Sequence, residues 1–483
     1  MSDSLLAGQS SIWVQPDGPN TTPRYLGCHG ISDVTEPMGD ITLTYCPDPA
    51  VSGSFLAKNS FQTAAGSVTT SIETVMYKVA DYLESLGLCT VPIYIMKVSC
   101  GRRDTFSNFD RAFVLRYAKV TSRKLGNVAA RIPTNENETT QTFDISAREM
   151  LRIFKLQATR LALVETEDLT GLAICGEDRC EGTCGAIQKS DDYMWIASKA
   201  LVGSASNKAN AWYSDHAVWY PTTADPFAVA TDIQGAVCFK MDSNVTRVLV
   251  GLGTTDAGAG LKIAYTDNSG VAWTTVTVGS TLGEFVSNGH AIFALDRYHI
   301  WVGSNGGRIY FSADGGASWT RQENAGISAT AISGISFIDT LTGFAVYTGG
   351  GIAKCIDGAN WSGATTSGAT VATDIKAISK YEAWVTGSNG IFCTMNEAVT
   401  WVNRLAVAMG AIDFLNELYG MAVGSAASGL IYVTINGGND WSPLALLANA
   451  GMTDVEIVDT KTAYVGGKAS GGTAFLAKVV PQT

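Results

Sequence analysis

The sequence has few of the side chains on which enzyme catalysis commonly depends. It contains four histidines, His29, His216, His290 and His299, and none of them stands in a zinc-protease or nucleophile–base motif. A phosphate-binding glycine loop of the Walker type is also missing from the sequence. These absences lead us to expect a protein that is not an enzyme and that needs no cofactor.

Long apolar runs, proline and positive charge are also scarce. No segment approaches the roughly 20 consecutive apolar residues that span a bilayer, and the first residues lack the basic and apolar regions of a secretory signal. Lys and Arg number 33 against 44 Asp and Glu, so the net charge is −11 and the outer surface should not attract nucleic acid. Proline occurs 12 times, whereas 51 glycines suit many tight turns. We therefore expect no membrane span and folding in a cytoplasm.

A tryptophan recurs in the C-terminal part of the chain at intervals of 40–46 residues, each time after a short polar motif. In this motif the Ser/Thr and Asp/Asn side chains should fix a turn by bonding to nearby backbone, and Gly should supply a positive φ angle. The Trp should fold back over the hairpin and fill the space between neighbouring sheets. The motif resembles the Asp-box, or BNR, repeat. We call the five copies the box turns; their structural residues are Thr266, Asn268, Gly270, Trp273, Ser312, Asp314, Gly316, Trp319, Asp357, Trp361, Thr394, Asn396, Trp401, Thr434, Asn436, Gly438 and Trp441.

Short apolar runs that end near a glycine repeat in step with the box turns. Residues 248–251 and 300–303 are examples, and we interpret each as a buried inner strand that a further strand such as 308–311 follows. A weaker copy at 193–196 brings the number of units to seven. Four short strands per unit of this length are typical of a propeller blade, so we predict a seven-bladed β-propeller over residues 188–483. The alternative is an open solenoid.

The last unit has no box Trp and no outer strand after residue 480. A closed ring would avoid an exposed sheet edge. We therefore predict that the ring closes with an outer strand from the segment near residues 184–190.

Residues 1–170 lack this periodicity, and we expect a β-rich α+β domain there. Apolar residues at 3/4 spacing predict an amphipathic helix over residues 68–86, and a second short helix is predicted over 147–156. The helix face consists of Ile72, Val75, Met76, Val79, Leu83 and Leu86. Strands are predicted at 41–45, 91–98, 112–117 and 141–145.

The order of segments 39–45, 66–72, 92–95 and 143–147 resembles a bacteriophage tail-tube protein, also called a major tail protein. The resemblance covers about a third of the chain, and its motifs are loose. It implies a β-sandwich or barrel with one amphipathic helix on the outside and a hexameric ring whose sheets line a lumen. It also implies stacking of the rings through a long loop, here 46–66. The alternative is an unrelated β-rich domain.

Cys175, Cys180 and Cys184 form a dense cluster in a predicted connector, residues 171–187. Three thiolates at this spacing could bind one metal with Cys100 or Cys238 as a fourth ligand. The absence of a Cys-x-x-Cys pair favours a disulfide or free thiols instead. The remaining seven cysteines are expected to be free and buried.

A sialidase-like glycosidase is the enzymatic alternative, because Asp-boxes are common in that family. Its chemistry needs three arginines that clamp a carboxylate, a Tyr nucleophile and an acidic partner. The arginines of the propeller do not stand in the Arg-Ile-Pro type of motif at the start of the ring, so we do not expect this activity. They are Arg247, Arg297, Arg308, Arg321 and Arg404.

These observations together lead us to expect a structural protein of the virion, located in the tail and assembled in the host cytoplasm. The N-terminal domain would form the tube, and the propeller would decorate its outside. The expected partners are further copies of the chain, other tail proteins, DNA as cargo of the lumen, and a carbohydrate of the host surface. A monomeric propeller adaptor, similar to the Asp-box propellers of photosystem assembly factors, is a further alternative.

Overall fold

The chain consists of two compact units. One unit contains Met1–Lys155 with Thr434–Asp440 and Pro481–Thr483, and the other contains Leu156–Val433 with Trp441–Val480. The computed structural model describes residues 8–15, 21–31, 68–74, 83, 91–97, 111–125, 141–161, 169–177, 188–198, 209–213, 219–221, 224, 226–227, 233–241, 245–254, 260–268, 270–322, 324–325, 330–424, 429–444, 450–469 and 474–482. In this part of the chain, no helix combines the length and the apolar character that crossing a bilayer requires.

The N-terminal unit contains a sheet of seven antiparallel strands. The strands are β1 Gly8–Val14, β2 Arg24–Ile31, β3 Val68–Thr74, β4 Val91–Lys97, β5 Arg111–Leu125, β6 Gln141–Ala147 and β7 Glu149–Phe154. Their order is β4-β1-β2-β3-β6-β5-β7, and β4 also pairs with β5, so six of the strands close into a barrel. Alternate residues of these strands, such as Ile12, Val14, Ile93, Phe143 and Ile145, form its core.

The helix predicted over residues 68–86 is wrong at its beginning, because residues 68–74 form β3. This stretch is rich in β-branched Val, Thr and Ile, which favour strands, and it pairs with β6 along its whole length. Leu83 is described as helical and fully buried, whereas residues 75–82 and 84–86 lie outside the described residues. The amphipathic helix on the sheet is therefore not part of the fold that we describe.

The second predicted helix, over residues 147–156, is also wrong. Residues 149–154 form β7, in which buried and partly buried side chains alternate with the period of two that a strand requires. The predicted strands at 91–98, 112–117 and 141–145 correspond to β4, β5 and β6. The predicted strand at 41–45 and the loop at 46–66 lie outside the described residues.

The second unit is a β-propeller of seven four-stranded sheets, which we number as blades 1–7 from the N-terminal end. Blade 4 carries one additional short strand, β21 Asn324–Ala325, parallel to its outer strand. From the centre of the ring outwards, the strands are β9 Leu169–Glu177, β10 Gln188–Ser198, β11 Ala209–Tyr213 and β12 Trp219–Pro221 in blade 1; β13 Ile233–Lys240, β14 Thr246–Leu252, β15 Lys262–Thr266 and β16 Thr274–Thr277 in blade 2; β17 Ile292–Asp296, β18 His299–Gly303, β19 Ile309–Ser312 and β20 Thr320–Arg321 in blade 3; β22 Ile332–Phe337, β23 Gly343–Tyr347, β24 Gly351–Cys355 and β25 Trp361–Thr366 in blade 4; β26 Ala372–Ala377, β27 Ala383–Gly387, β28 Gly390–Thr394 and β29 Val402–Leu405 in blade 5; β30 Ala411–Phe414, β31 Gly420–Val423, β32 Ile431–Thr434 and β33 Ser442–Leu444 in blade 6; and β34 Ala450–Asp459, β35 Thr462–Ala469, β36 Ala474–Pro481 and β8 Leu156–Arg160 in blade 7.

The innermost strands form a closed circle. Each of them packs against the innermost strand of the next blade, and β34 of blade 7 packs against β9 of blade 1. The ring is therefore closed, and the alternative of an open solenoid is wrong. The apolar runs that we interpreted as inner strands are the second strands of their blades, since a further buried strand precedes each of them.

Ring closure uses a different segment from the predicted one. The outer strand of blade 7 is β8, and Leu161 continues the pairing by donating its N–H to the carbonyl of Leu476. The predicted segment near 184–190 was wrong because residues 188–198 already form the second strand of blade 1. The predicted connector, residues 171–187, is also partly wrong, because β9 begins blade 1 at Leu169.

Aromatic side chains fill two of the spaces between neighbouring blades. Trp301 of blade 3 stacks on Phe337 of blade 4, with ring centroids 3.6 Å apart, and Trp361 makes an edge-on contact with the Phe337 ring. Blades 5 and 6 repeat the arrangement with Trp384, Phe414 and Trp441. In both cases the box Trp of one blade completes the contact with the preceding blade, so it links the blades.

Candidate functional site

The box turns of blades 2, 3, 5 and 6 share one set of hydrogen bonds. The Ser or Thr hydroxyl donates to the side-chain Oδ1 of the Asp or Asn two residues later, at 2.8–3.1 Å. The same hydroxyl oxygen accepts the backbone N–H four residues after it, at 2.8–3.0 Å. The Oδ1 atom accepts the N–H four residues after its own residue, also at 2.8–3.0 Å. These residues therefore hold a turn and use their polar atoms in doing so.

The box turn of blade 4 is one residue shorter and has Cys355 at the position of the Ser or Thr, with its thiol 3.7 Å from Oδ1 of Asp357. Its carboxylate accepts the N–H groups of Ala359 and Asn360 and the side-chain amide of Asn360, at 2.7–3.0 Å. These bonds, first among them the one from the Asn360 side chain, lower the pKa of Asp357 to about 2. In blade 3, burial alone would raise the pKa of Asp314, but hydrogen bonds from Ser318 and Ser312 outweigh it and lower the value.

The box turn of blade 5 lacks glycine yet keeps the same backbone shape. Glu397 and Ala398 have φ angles of 61° and 64°, in the left-handed region that costs a residue with a side chain roughly 1–2 kcal/mol. The corresponding Gly316 of blade 3 has a φ of 88°. Glu397 forms an ion pair with Lys354 of blade 4 at 2.6 Å, so the strained turn contacts the preceding blade.

Carbonyl groups of the box turns accept hydrogen bonds from the blade before them. Gly315 of blade 3 accepts from Arg247 at 3.0 Å, and Gly358 of blade 4 accepts from Gln322 at 2.8 Å. Ala398 of blade 5 accepts from the hydroxyl of Thr365 at 2.5 Å. Gln322 also accepts the indole N–H of Trp361 at 2.7 Å. The box turns of blades 3, 4 and 5 are therefore docking points between blades, and the acidic side chains of Asp314 and Asp357 are occupied in holding their own turns.

The cysteines differ in part from the prediction. Cys355 and Cys393 are free and buried as expected, and burial raises the pKa of each thiol. Cys238 is disulfide-bonded, so the expectation of a free thiol there was wrong. Cys180, Cys184 and the side chain of Cys175 lie outside what the structure describes. Among the described residues, no group of three or more His, Cys, Asp or Glu side chains is placed to hold a metal ion.

The centre of the ring contains a cluster that brings together side chains from blades that are not neighbours. His290 lies in a short 3-10 helix, Gly289–Ala291, directly before the innermost strand of blade 3. Its Nδ1 atom is 3.5 Å from a carboxylate oxygen of Asp374 in blade 5 and 3.9 Å from one of Asp454 in blade 7. Its Nε2 atom is 2.9 Å from the carbonyl oxygen of Thr453. We call His290, Asp374 and Asp454 the central cluster.

Burial and charge both shift proton binding in the central cluster. Burial alone would lower the pKa of His290, but the carboxylates of Asp374 and Asp454 outweigh it, and the pKa is raised. Burial raises the pKa of Asp454, although His290 opposes the shift. Both shifts favour retention of a proton between His290 and Asp454.

Side chains of the innermost strands also bond to the backbone of the next blade around the ring. Oδ2 of Asp374 accepts the N–H of Ile412 at 2.9 Å, and Oδ2 of Asp454 accepts the N–H of Leu172 at 2.6 Å. Asp413 accepts the N–H of Ile457 in the same way, at 2.9 Å. The bond from Leu172 to Asp454 joins blade 1 to blade 7, so the ring has a second closing contact besides β8.

The sequence interpretation missed the central cluster. A weak signal was present, since Thr-Asp pairs recur at 373–374 and 453–454, and a further pair at 231–232 lies outside the described residues. Threonine–aspartate pairs are common, and without the closed ring nothing indicates that blades 3, 5 and 7 meet. His290 has no counterpart in the other repeats, so the repeat pattern does not point to it.

A buried polar cluster at the edge of blade 3 bears on the glycosidase alternative. Glu284 accepts hydrogen bonds from Arg308 at 2.5 Å, Tyr310 at 2.7 Å and Ser304 at 3.0 Å. Burial, followed by the bond to Glu284, raises the pKa of Tyr310. A Tyr nucleophile needs the opposite shift, because the phenolate is the reactive form.

Two further arginines of the propeller are held by other partners. Arg247 forms two parallel hydrogen bonds with Asp267, at 2.7 and 2.5 Å. Arg404 donates to the sulfur of Cys393 at 3.3 Å. Arg247, Arg308 and Arg404 therefore each bind a different group. A sialidase-like site needs three arginines that converge on one carboxylate.

No known protein-family model and no curated protein matches the sequence. Solved structures that resemble it include YCF48 from Cyanidioschyzon merolae, with 14% identity and a TM-score of 0.48 over 67% of this chain and 98% of that chain. YCF48 bound to D1 peptide has 12% identity and a TM-score of 0.49 over 68% and 97%. The WD40 β-propeller domain of Doa1 has 12% identity and a TM-score of 0.47 over 68% and 97%. The propeller fold of this chain is evident from its own seven sheets and the closed circle of their innermost strands.

Proposed function

We propose that the chain is a structural virion protein, in which the N-terminal unit assembles into stacked rings of a phage tail tube and the propeller is carried on the outside. The observation that carries this proposal is that the propeller completes its own ring, through β8 and the contact of Asp454 with Leu172. The sheet of the N-terminal unit is therefore not needed to close the propeller and is left for another task. The resemblance of segments 92–95 and 143–147, which lie on β4 and β6, to a tail-tube protein supports tube assembly as that task.

The edge of this sheet supports self-association. Within the described residues, β7 stands at the end of the strand order with β5 as its neighbour. An edge strand offers backbone N–H and C=O groups to another chain, which is how strands are added between subunits. Phe154 on β7 is partly buried and would lie at such a contact.

We further propose that the protein is not an enzyme. The raised pKa of Tyr310 and the separate commitments of Arg247, Arg308 and Arg404 argue against glycosidase chemistry. On this proposal the propeller presents its loops to other tail proteins or to a carbohydrate of the host surface. That ligand is inferred from fold analogy alone.

Negative-stain imaging of the full chain tests the proposal. We expect rings or tubes of repeating subunits, with propellers as separate densities on the outside. Phe154→Lys should prevent ring formation and leave a folded monomer, because lysine on an edge strand opposes pairing with another chain. The matched control is Leu282→Lys, which changes an apolar side chain of the propeller that is 69% exposed and should leave the rings intact.

Two results would contradict the proposal. Single particles at every concentration would favour the monomeric adaptor. Rings that persist in Phe154→Lys but disappear in Leu282→Lys would assign the assembly to the propeller and not to the N-terminal sheet.

A further inference from the structure

We propose that His290 is a pH-sensitive latch that holds blades 3, 5 and 7 together across the centre of the ring. The three blades are not neighbours, so the strand packing around the ring does not join them directly. The imidazole makes this connection through Asp374, Asp454 and the carbonyl of Thr453. Asn288, two residues before it, adds a bond from its side-chain amide to the carbonyl of Thr373 at 3.1 Å.

The hydrogen bond to Thr453 fixes which nitrogen of the imidazole can lose its proton. The Nε2 atom lies 2.9 Å from the carbonyl oxygen of Thr453. Because a carbonyl oxygen can only accept, Nε2 must carry a hydrogen. The Nδ1 atom is then a donor in the charged imidazolium and a lone pair in the neutral ring. That lone pair would face the carboxylates of Asp374 and Asp454, so loss of the proton replaces an attraction with a repulsion.

The two carboxylates cannot readily turn away from this repulsion. In Asp374, Oδ1 accepts the N–H of Ile375 at 2.7 Å, and Oδ2 accepts that of Ile412. In Asp454, Oδ1 accepts the N–H of Val455 at 2.7 Å, and Oδ2 accepts that of Leu172. Rotation of either carboxylate would break a bond to the next blade. Release of His290 therefore acts on the junctions between blades 5 and 6 and between blades 7 and 1.

Other charged groups near the latch do not replace His290. Glu456, on the same strand as Asp454, adds negative charge and raises the pKa of His290. Lys376, on the same strand as Asp374, pairs with Asp413 at 2.7 Å. The remaining elements that pack against the 3-10 helix are β9, β13, β18 and β22. Among these strands, β22 has no ionisable residue, and the others contribute Cys175, Glu177, Lys240 and His299, whereas Cys238 is disulfide-bonded and does not titrate.

Lys240, the last residue of β13, and His299, the first residue of β18, lie at the end of the ring opposite to His290. Gly235, near the start of β13, approaches the carbonyl of Gly289, so Lys240 stands five residues further along that strand. His299 pairs with Asp296 at the far end of the β17–β18 hairpin, where its Nδ1 atom is 2.9 Å from the carboxylate. His299 is therefore a second histidine of blade 3 that pairs with an aspartate, and it lies outside the latch.

The direction of the pH effect follows from the raised pKa of His290. The stabilisation is fully present below the ordinary histidine pKa of about 6.5 and is lost as the pH rises through the higher folded value. The raised pKa of Asp454 acts with the same sign, because the folded state holds the proton more tightly than the unfolded state.

Thermal melting of the full chain between pH 5.5 and 9 tests the latch. The wild type should lose roughly 3 °C of Tm as the pH rises through the transition. His290→Gln keeps an N–H for Thr453 but has no charge, so its Tm should be lower at pH 5.5 and should change less with pH than that of the wild type, with only the contribution of Asp454 left. His299→Gln is the matched control, the same substitution at a histidine that also pairs with an aspartate, and it should keep the wild-type profile.

A proton NMR titration of the histidine C2–H resonances gives a second readout that does not depend on a folded His290→Gln protein. The His290 resonance, assigned through the variants, should titrate above about 6.5. The proposal is overturned if His290 titrates at or below the ordinary value. It is also overturned if His290→Gln keeps the wild-type pH profile or if His299→Gln loses it.

Discussion

The outer box turns and the centre of the propeller are built on opposite principles. Four box turns repeat one set of three hydrogen bonds with nearly equal lengths, and in these bonds the Ser/Thr and Asp/Asn side chains bond within their own turn. At the centre, the side chains of Asp374, Asp413 and Asp454 bond to the backbone of the next blade. The polar side chains of the box turns shape each turn locally, whereas the aspartates at the centre join one blade to the next.

This contrast explains what could be predicted from the sequence. A turn that bonds within itself must carry its own polar residues at fixed spacing, so Ser312, Asp314 and Trp319 are visible without any knowledge of the neighbouring blades. A contact such as that of Asp454 with Leu172 joins residues 282 positions apart. It leaves no local pattern, and only the closed ring brings the two residues together.

The largest expected effect tests the aromatic contacts that the box turns provide. Trp361→Ala should destabilise the propeller by about 3–5 kcal/mol, because this fully buried ring packs against Phe337 and donates to Gln322. Trp319→Ala, at the same position of a box turn, should cost clearly less because that side chain is only partly buried. Urea unfolding of both variants measures the difference. Equal losses would mean that the box Trp stabilises its own hairpin and not the junction between blades.

A smaller effect tests the backbone shape of the box turns. Gly316→Ala should cost about 2 kcal/mol or more, because its φ of 88° disfavours a side chain and a Cβ atom would lie 2.5 Å from Leu249. Ala398→Gly should change the stability by less than about 1 kcal/mol, since release of strain is offset by the loss of a buried methyl group. Thermal unfolding of the two variants provides the comparison. A large loss in Ala398→Gly would show that packing, not φ, governs this position.

The smallest expected effect separates the two regions by the sign of their pH dependence. The lowered pKa values of Asp357 and Asp314 give stability that is present above the ordinary carboxyl value of about 4 and is lost as the pH falls, for Asp357 towards about 2. The raised values of His290 and Asp454 give stability that is lost as the pH rises. Asp357→Asn should therefore reduce the dependence of Tm on pH below about pH 4 and leave the dependence of Tm on pH near neutrality unchanged. A change on the neutral side would contradict the separation.

The N-terminal unit shows where local patterns mislead. Residues 68–74 belong to an apolar pattern with helical spacing, but their β-branched side chains and seven paired positions on β6 make them a strand. The helix predicted over 147–156 is wrong because buried and partly buried side chains alternate along the six residues of β7. The pairing partners, β6 for residues 68–74 and β5 for β7, lie far away in sequence. The local spacing alone therefore could not decide between helix and strand.

The strand that closes the ring could not be located from the sequence for a related reason. Residues 156–160 carry no box motif, and their role depends on where the last blade ends in space. The number of blades could be predicted because it is a count of repeats. The closing strand occurs once and has no repeated pattern that could reveal it.

The mass of the full chain in solution, measured by light scattering on a sizing column, tests the proposed function most directly. The account predicts a species whose mass is a multiple of 50.9 kDa and whose share grows with concentration. A single species of one chain over the whole concentration range would contradict tube assembly by the N-terminal sheet.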